Sequence, residues 1–132
     1  MTIRIVIADD HAVVRQGLSM FLNMDGDLDI VGEATNGKEA IELVEELRPD
    51  IVLMDLLMPT MSGIDAIPLI KEQFPDVEII ALTSVLDNGS VVKAVRAGAI
   101  GYLLKDTQSD ELIRSIKAAA NGQVQLSPQA AT

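Results

Sequence analysis

Apolar residues in this chain come in short runs, separated by stretches in which they recur every three or four positions. Short runs suit buried strands, and the 3.6-residue recurrence suits amphipathic helices. Ile3–Ala8 is apolar except for Arg4 and ends in Asp9-Asp10, which predicts a first strand delivering two acids at its carboxyl end. From His11 to Met24 the residues Val14, Leu18, Phe21 and Leu22 fall at helical spacing, and Asp25-Gly26-Asp27 supplies the turn that ends the helix. Leu28–Ala34 alternates, with Asp29 and Glu33 opposite Leu28, Ile30 and Ala34, as expected of an edge strand with one wet face. Asn36 reads as the N-cap of a second helix, with Glu39 three residues on, Ala40, Ile41, Val44 and Leu47 inward and Pro49 closing it.

Ile51-Val52-Leu53-Met54 then runs straight into Asp55, and Pro59 follows four positions later. So continuous a run predicts a strand buried on both faces, with its terminal carboxylate at the edge of the sheet. Ser62-Gly63 opens a third helix to Phe74; Pro68 lies inside it and leaves two options, a kink or a regular helix that starts later, near Asp65. Val77–Leu82 is the fourth strand and ends in Thr83-Ser84. Asn88–Ala97 is a short helix closed by Gly98, and in it Val91, Val92 and Val95 read as core first, with any exposed part a partner or dimer surface. Ile100–Leu104 is the fifth strand and ends in Lys105-Asp106. Thr107 to Asp110 has the spacing of a capping box for a last helix, striped by Leu112, Ile113, Ile116, Ala119 and Ala120 and ended by Asn121-Gly122. Gln123–Thr132 is small and polar and reads as a linker.

Five strands alternating with five helices imply an α/β fold: a doubly wound, five-stranded parallel sheet with helices on both faces. An edge second strand and a central third strand match the order 2-1-3-4-5, whose ligand site lies outside the carboxyl ends of the strands at the reversal between strands 1 and 3. Asp9, Asp10, Asp55, Thr83 and Lys105 are the residues placed there. Clustered carboxylates repel unless a cation neutralises them, and hard oxygen ligands favour Mg²⁺. Such a cluster suits phosphoryl chemistry, with Asp55 as the nucleophile, Lys105 offsetting charge and the Thr83 hydroxyl bonding a phosphoryl oxygen.

Composition removes several alternatives. At 132 residues the chain is one domain, and with only three aromatics (Phe21, Phe74, Tyr102) its core is aliphatic. A net charge of −10 argues against direct nucleic-acid binding by this segment, and the absence of cysteine removes disulfides and thiolate metal sites. The single histidine excludes a multi-histidine metal site; His11 reads as a residue of the helix start, and Arg15 as a surface residue or the partner of an acid. With no apolar run of membrane-spanning length and no signal peptide, the chain reads as soluble and cytoplasmic, with no membrane partner.

Asp9-Asp10, Asp55 with Met58-Pro59, Thr83, and Lys105 with Tyr102 three residues before it together resemble the receiver domain of bacterial two-component response regulators, over residues 3 to about 121. The resemblance implies a flavodoxin-like (βα)5 fold and a phosphoryl group taken by Asp55 from a sensor histidine kinase. It implies Mg²⁺ held by Asp10, Asp55 and the Leu57 backbone carbonyl, with Asp9 acting through water. It also implies a switch in which Thr83 moves toward the phosphate and Tyr102 changes rotamer, remodelling the face of helix 4, strand 5 and helix 5. Tyr102 reads equally well as a core or half-buried residue. Asp9-Asp10-His11 with Arg15-Gln16-Gly17-Leu18, and the ending Gly122 to Leu126-Ser127-Pro128, are similar to NarL/FixJ regulators with a LuxR-type helix-turn-helix.

Residues 1–122 are therefore expected to form the receiver and 123–132 a linker toward a DNA-binding domain that this sequence lacks. DNA would be reached only through that domain, and a homodimer on phosphorylation is a further expectation. On this reading the chain is not an enzyme but a switch that catalyses its own phosphoryl uptake and slow loss. Three residues depart from the common receiver pattern. Asp106 stands where proline is frequent, which puts a cis peptide in question; Ser84 replaces alanine and is expected to narrow phosphate access; Leu57 replaces a polar residue and is expected to change the hydrolysis rate. Leu57 also argues against an Mg²⁺-dependent phosphatase, which resembles this site but places a second Asp there. Scarce aromatics oppose an FMN binder, and the intact acids, Thr83 and Lys105 oppose a pseudo-receiver.

Overall fold

The computed structural model describes residues 2–84, 88–123 and 125–126. In chain order the elements are β1 (Ile3–Ala8), α1 (Ala12–Leu22), β2 (Leu28–Ala34), α2 (Gly37–Leu47), β3 (Ile51–Asp55), α3 (Gly63–Gln73), β4 (Glu78–Thr83), α4 (Asn88–Ala97), β5 (Gly101–Leu104), α5 (Ser109–Ala120) and β6 (Gln125–Leu126). The strands form one parallel sheet in the order β2-β1-β3-β4-β5-β6. The order 2-1-3-4-5 is as the alternation predicts. β6 is an addition: part of the expected linker pairs with β5, Tyr102 opposite Leu126. Val124 and residues 127–132 of that expected linker lie outside the described residues.

Alternation along the strands divides the core in two. Val6, Ala8, Val52, Met54, Ile79, Ala81 and Tyr102 face α2, α3 and α4, and meet Ala40, Val44, Ile67, Ile70 and Ala94 there. Ile5, Ile7, Ile51, Leu53, Ile80, Leu82 and Leu103 face α1 and α5, and meet Leu18, Leu22, Leu112 and Ile116. Every residue of β3 is buried, as its continuous apolar run requires.

β2 departs from its simple alternation. Ile5 pairs with Ile30 but Val6 pairs with Gly32, so Val31 is an extra residue at a bulge. A one-residue slip moves every later side chain to the other face. Leu28 and Ile30 therefore join the α1/α5 side, whereas Ala34 joins the α2/α3 side. In α4, Val91 packs inward with Ala94, but Val92 and Val95 are exposed, so only part of the valine cluster is core.

Helix ends follow the sequence with two corrections. The Asn36 side chain accepts the Glu39 N–H at 2.9 Å, and Glu39 Oε1 accepts from the Thr35 N–H and hydroxyl at 2.8 Å. α3 starts at Gly63, capped by Ser62, and runs through Pro68, which settles the later start near Asp65 against it. The expected Thr107 capping box does not form. The Thr107 N–H turns back to the Leu104 carbonyl at 3.0 Å, so α5 starts one residue later, with Gln108 at the N-cap and no side-chain cap. α1 is also shorter at both ends than His11–Met24. Gly98 has φ +122 and closes α4 as a glycine can. Arg4, the one charged residue of β1, has a physical reason: its guanidinium donates to the Leu47 and Arg48 carbonyls at the end of α2.

Candidate functional site

Strand register brings the sequence-predicted residues to one edge. Ala8 lies opposite Met54, Asp55 opposite Leu82 and Thr83 opposite Leu104, so the ends of β1 and β4 flank the end of β3 and Lys105 follows β5 one strand further out. The Asp9 N–H donates to the Ala34 carbonyl at 3.0 Å, and the Lys105 N–H donates to the Thr83 carbonyl at 2.7 Å. Asp9, Asp55 and Thr83 are buried, whereas Asp10 is exposed at the rim. Ser84 is exposed beside Thr83.

Lys105 is the hinge of the electrostatics. Its Nζ lies 2.7 Å from Asp9 Oδ2, an ion pair without hydrogen-bond alignment, and donates to Asp55 Oδ2 at 3.2 Å. Burial pushes the Asp9 carboxyl up, but Lys105 and the His11 donors outweigh it and hold Asp9 below the usual range. Asp55 differs. Burial pushes it up, Asp9 adds repulsion, and the Leu57 N–H and Lys105 fail to offset them, so its carboxyl sits above the usual range. Burial disfavours the Lys105 ammonium, yet the two carboxylates overcome this and raise it. Burial is thus the main reason that the charged form of Asp55 is disfavoured.

The loop after β3 is shaped around the same carboxylate. The Leu57 N–H donates to Asp55 Oδ1 at 3.2 Å while its side chain points to solvent, 75% exposed. Thr60 has φ +67, an uncommon conformation for a β-branched residue and one that the sequence did not announce. Gly63 lies so close beneath the strand end that a Cβ there would collide with the Asp55 carbonyl oxygen and stand 2.8 Å from Met54 Cγ. Gly63→Ala is expected to cost about 2 kcal/mol, the scale of overpacking in a rigid core. Urea unfolding checks this, and unchanged stability would mean that the loop yields freely.

Two residues outside the core of the prediction belong here as well. Arg15 Nη1 donates to the Asp9 carbonyl at 2.7 Å and its Nε to Glu33 Oε1 at 3.2 Å, tying the acid-bearing loop to β2. Its place six residues after Asp9, in the first turn of a helix that starts at the site, was the available signal. His11 Nδ1 lies 3.0 Å from Asp9 Oδ1 and 3.3 Å from Asp10 Oδ1. One ligand atom from each of Asp9, Asp10, His11 and Asp55 falls within 4.8 Å of the others, so this cluster could hold a metal ion. Tyr102 is wholly buried on β5, and alternation puts Thr83 on the same face of the sheet as Ala81, its neighbour across the β4–β5 pair. Among the described residues no peptide is cis, so the Lys105–Asp106 bond is trans.

Comparison with known proteins gives a consistent result. The response regulator receiver domain family matches residues 5–117. The transcriptional regulatory protein LiaR of Bacillus subtilis (strain 168) is 42% identical over 129 residues, a match covering 98% of this chain and 61% of LiaR. The chain thus spans less than two thirds of that relative. A LuxR-family two-component response regulator from Aurantimonas sp. SI85-9A1 has a TM-score of 0.94 and 35% identity, with 99% of this chain and 94% of that one covered. The isolated REC domain of RcsB from Salmonella enterica serovar Typhimurium, solved in the presence of phosphomimetic BeF3-, has a TM-score of 0.89 and 25% identity, covering 99% and 97%. Carrying the family's match from β1 into α5, on a parallel sheet of its order, the chain belongs to the receiver-domain family of two-component response regulators.

Proposed function

We propose that Asp55 accepts a phosphoryl group from the phosphohistidine of a sensor histidine kinase, and that the resulting acyl phosphate switches the face of α4, β5 and α5. The observation that carries this is a buried carboxylate with the Lys105 ammonium 3.2 Å away at the carboxyl edge of a parallel sheet. An Asp55 oxygen attacks phosphorus, a P–O bond forms, and the P–N bond breaks with its electron pair leaving on the imidazole. Lys105 then offsets charge on the transferred group, and the Thr83 hydroxyl bonds one of its oxygens. The protein is thus a switch that catalyses its own loading and slow unloading rather than an enzyme acting on other substrates.

The donor set fits a hard divalent cation: Asp9 Oδ2 is buried without an aligned hydrogen bond, and of the three clustered carboxylates Lys105 pairs with Asp9 and Asp55. Asp10, Asp55 and the Leu57 carbonyl would hold Mg²⁺, with Asp9 acting through water. When bound, Mg²⁺ supplies charge neutralisation at the phosphoryl oxygens.

Downstream, phosphorylation moves Thr83 toward the phosphate and lets Tyr102 change rotamer, favouring a homodimer. Control of transcription then runs through a DNA-binding domain elsewhere in a longer protein. The relatives' description as transcriptional regulators supports that output. Among the described residues no helix is long and apolar enough to cross a membrane, in keeping with a cytoplasmic partner of a kinase.

Phosphoramidate, whose P–N bond is of the same class as phosphohistidine's, tests the loading step. Label is expected to enter only with Mg²⁺ and to leave on treatment with hydroxylamine, as an acyl phosphate does. Label that survives hydroxylamine would place the phosphate on a hydroxyl and contradict the proposal.

A further inference from the structure

The loop between β3 and α3 is held from outside by the start of α2. The Gly37 N–H donates to the Met61 carbonyl at 2.8 Å. The approach is so close that a Cβ on Gly37 would stand 2.9 Å from the Met61 carbonyl oxygen, the Ser62 carbonyl oxygen and Met61 Cγ. Two of those three atoms are backbone, so a side chain at position 37 has to move the loop itself. The same loop carries strain. Thr60 has φ +67 in a tight turn closed by the Met61 N–H on the Pro59 carbonyl at 2.7 Å, a conformation that a β-branched residue keeps only when its surroundings hold it. The turn that leads into α2 is itself fixed: the Ala34 carbonyl accepts the Asp9 N–H at 3.0 Å, and Thr35 and Asn36 both bond to Glu39.

At the other end of the loop the Leu57 N–H donates to Asp55 Oδ1 at 3.2 Å, and Lys105 Nζ donates to Oδ2 at 3.2 Å, so both oxygens of the carboxylate are oriented. Resting on the phosphoacceptor reading above, we propose that Gly37 is a positioning residue for phosphoryl uptake: because it has no side chain, the first turn of α2 clamps the loop after β3 and keeps the Leu57 amide on Asp55. In-line attack on phosphorus tolerates little misalignment, and a misplacement of about 1 Å costs about 100-fold. A methyl group at position 37 must push the loop back from 2.9 Å to an ordinary contact of 3.4 Å or more. A displacement of about half an ångström then corresponds to a loss of about tenfold.

The test follows uptake from acetyl phosphate with Mg²⁺ by intact mass in the wild type, Gly37→Ala, Thr60→Gly and the double variant. Urea unfolding and the ¹H–¹⁵N signal of the Leu57 amide are recorded beside it. Gly37→Ala is expected to slow uptake about tenfold, shift the Leu57 amide and lower the urea midpoint. Adding Thr60→Gly lets the loop retreat from the new methyl group, so the midpoint is expected to recover while uptake stays slow. Thr60→Gly alone loosens the clamp without a clash and is expected to slow uptake about threefold with no fall in the midpoint. Uptake at the wild-type rate in Gly37→Ala or Thr60→Gly, or uptake that recovers with the midpoint in the double variant, would overturn the inference and leave Gly37 a packing residue. An unmoved Leu57 amide in Gly37→Ala would overturn the clamp alone, whereas failure of the wild type to load would overturn the phosphoacceptor reading as well.

Discussion

Lys105→Ala is expected to slow phosphoryl uptake by about 100-fold, the scale of removing one charged donor from a developing oxyanion. The same change is expected to destabilise the domain, because it takes the only cation 2.7 Å from Asp9 and 3.2 Å from Asp55 among the described residues. Both acids are buried, so their mutual repulsion is left unanswered, at a cost of about 2–3 kcal/mol. The pH dependence follows from the direction of each shift. Lys105 is raised in the folded state, so its contribution is complete below the ordinary lysine value and is lost only as pH rises through the raised one. Asp9 is lowered, so its contribution is present above the ordinary carboxyl value and is lost as pH falls through the lowered one. Urea unfolding at neutral pH is therefore a suitable comparison, and an unchanged midpoint in Lys105→Ala would show that the pair is energetically idle.

Asp55→Asn carries the opposite sign. The Asp55 carboxyl is raised by burial and by Asp9, so its ionised form costs stability at pH values above the raised one. Asparagine keeps the shape and removes the charge, and the expected gain at neutral pH is about 1 kcal/mol, or roughly 3–5 °C in Tm for a domain of this size. As pH falls, the folded wild type takes up its proton before the unfolded chain does, so the gain shrinks and is gone below the ordinary carboxyl value. Lowered stability of Asp55→Asn at neutral pH would mean that the Asp55 charge is already satisfied. Lys105→Ala and Asp55→Asn touch the same pair, so their effects are expected to be non-additive, the asparagine rescuing part of the lysine loss.

These opposing signs come from features of unequal legibility. The acids at the ends of β1 and β3 could be read directly, because a short apolar run that stops at a carboxylate has few structural meanings in an alternating chain. The bulge at Val31 could not, since Leu28, Ile30 and Ala34 satisfy one alternation whether or not a residue is slipped between them. Thr107 has the spacing of a capping box, and only its backbone bond to Leu104 shows why the spacing goes unused. Pro68 left two helix starts open, and the Ser62 cap on Asp65 decides between them. Within the site, Gly63 was visible as a helix start but not as the floor under Asp55, a relation set by how α3 meets β3. His11 was read as part of the helix start and does occupy its N-cap, but the turn of its ring toward two acids depends on backbone angles that no motif encodes.

The most direct test of the central claim is intact mass after incubation with acetyl phosphate, with and without Mg²⁺, for the wild type and Asp55→Asn. The account predicts a single addition of about 80 Da, the mass of one phosphoryl group, in the wild type only when Mg²⁺ is present and never in Asp55→Asn. The same addition in Asp55→Asn, or in wild type with the cation chelated, would contradict it.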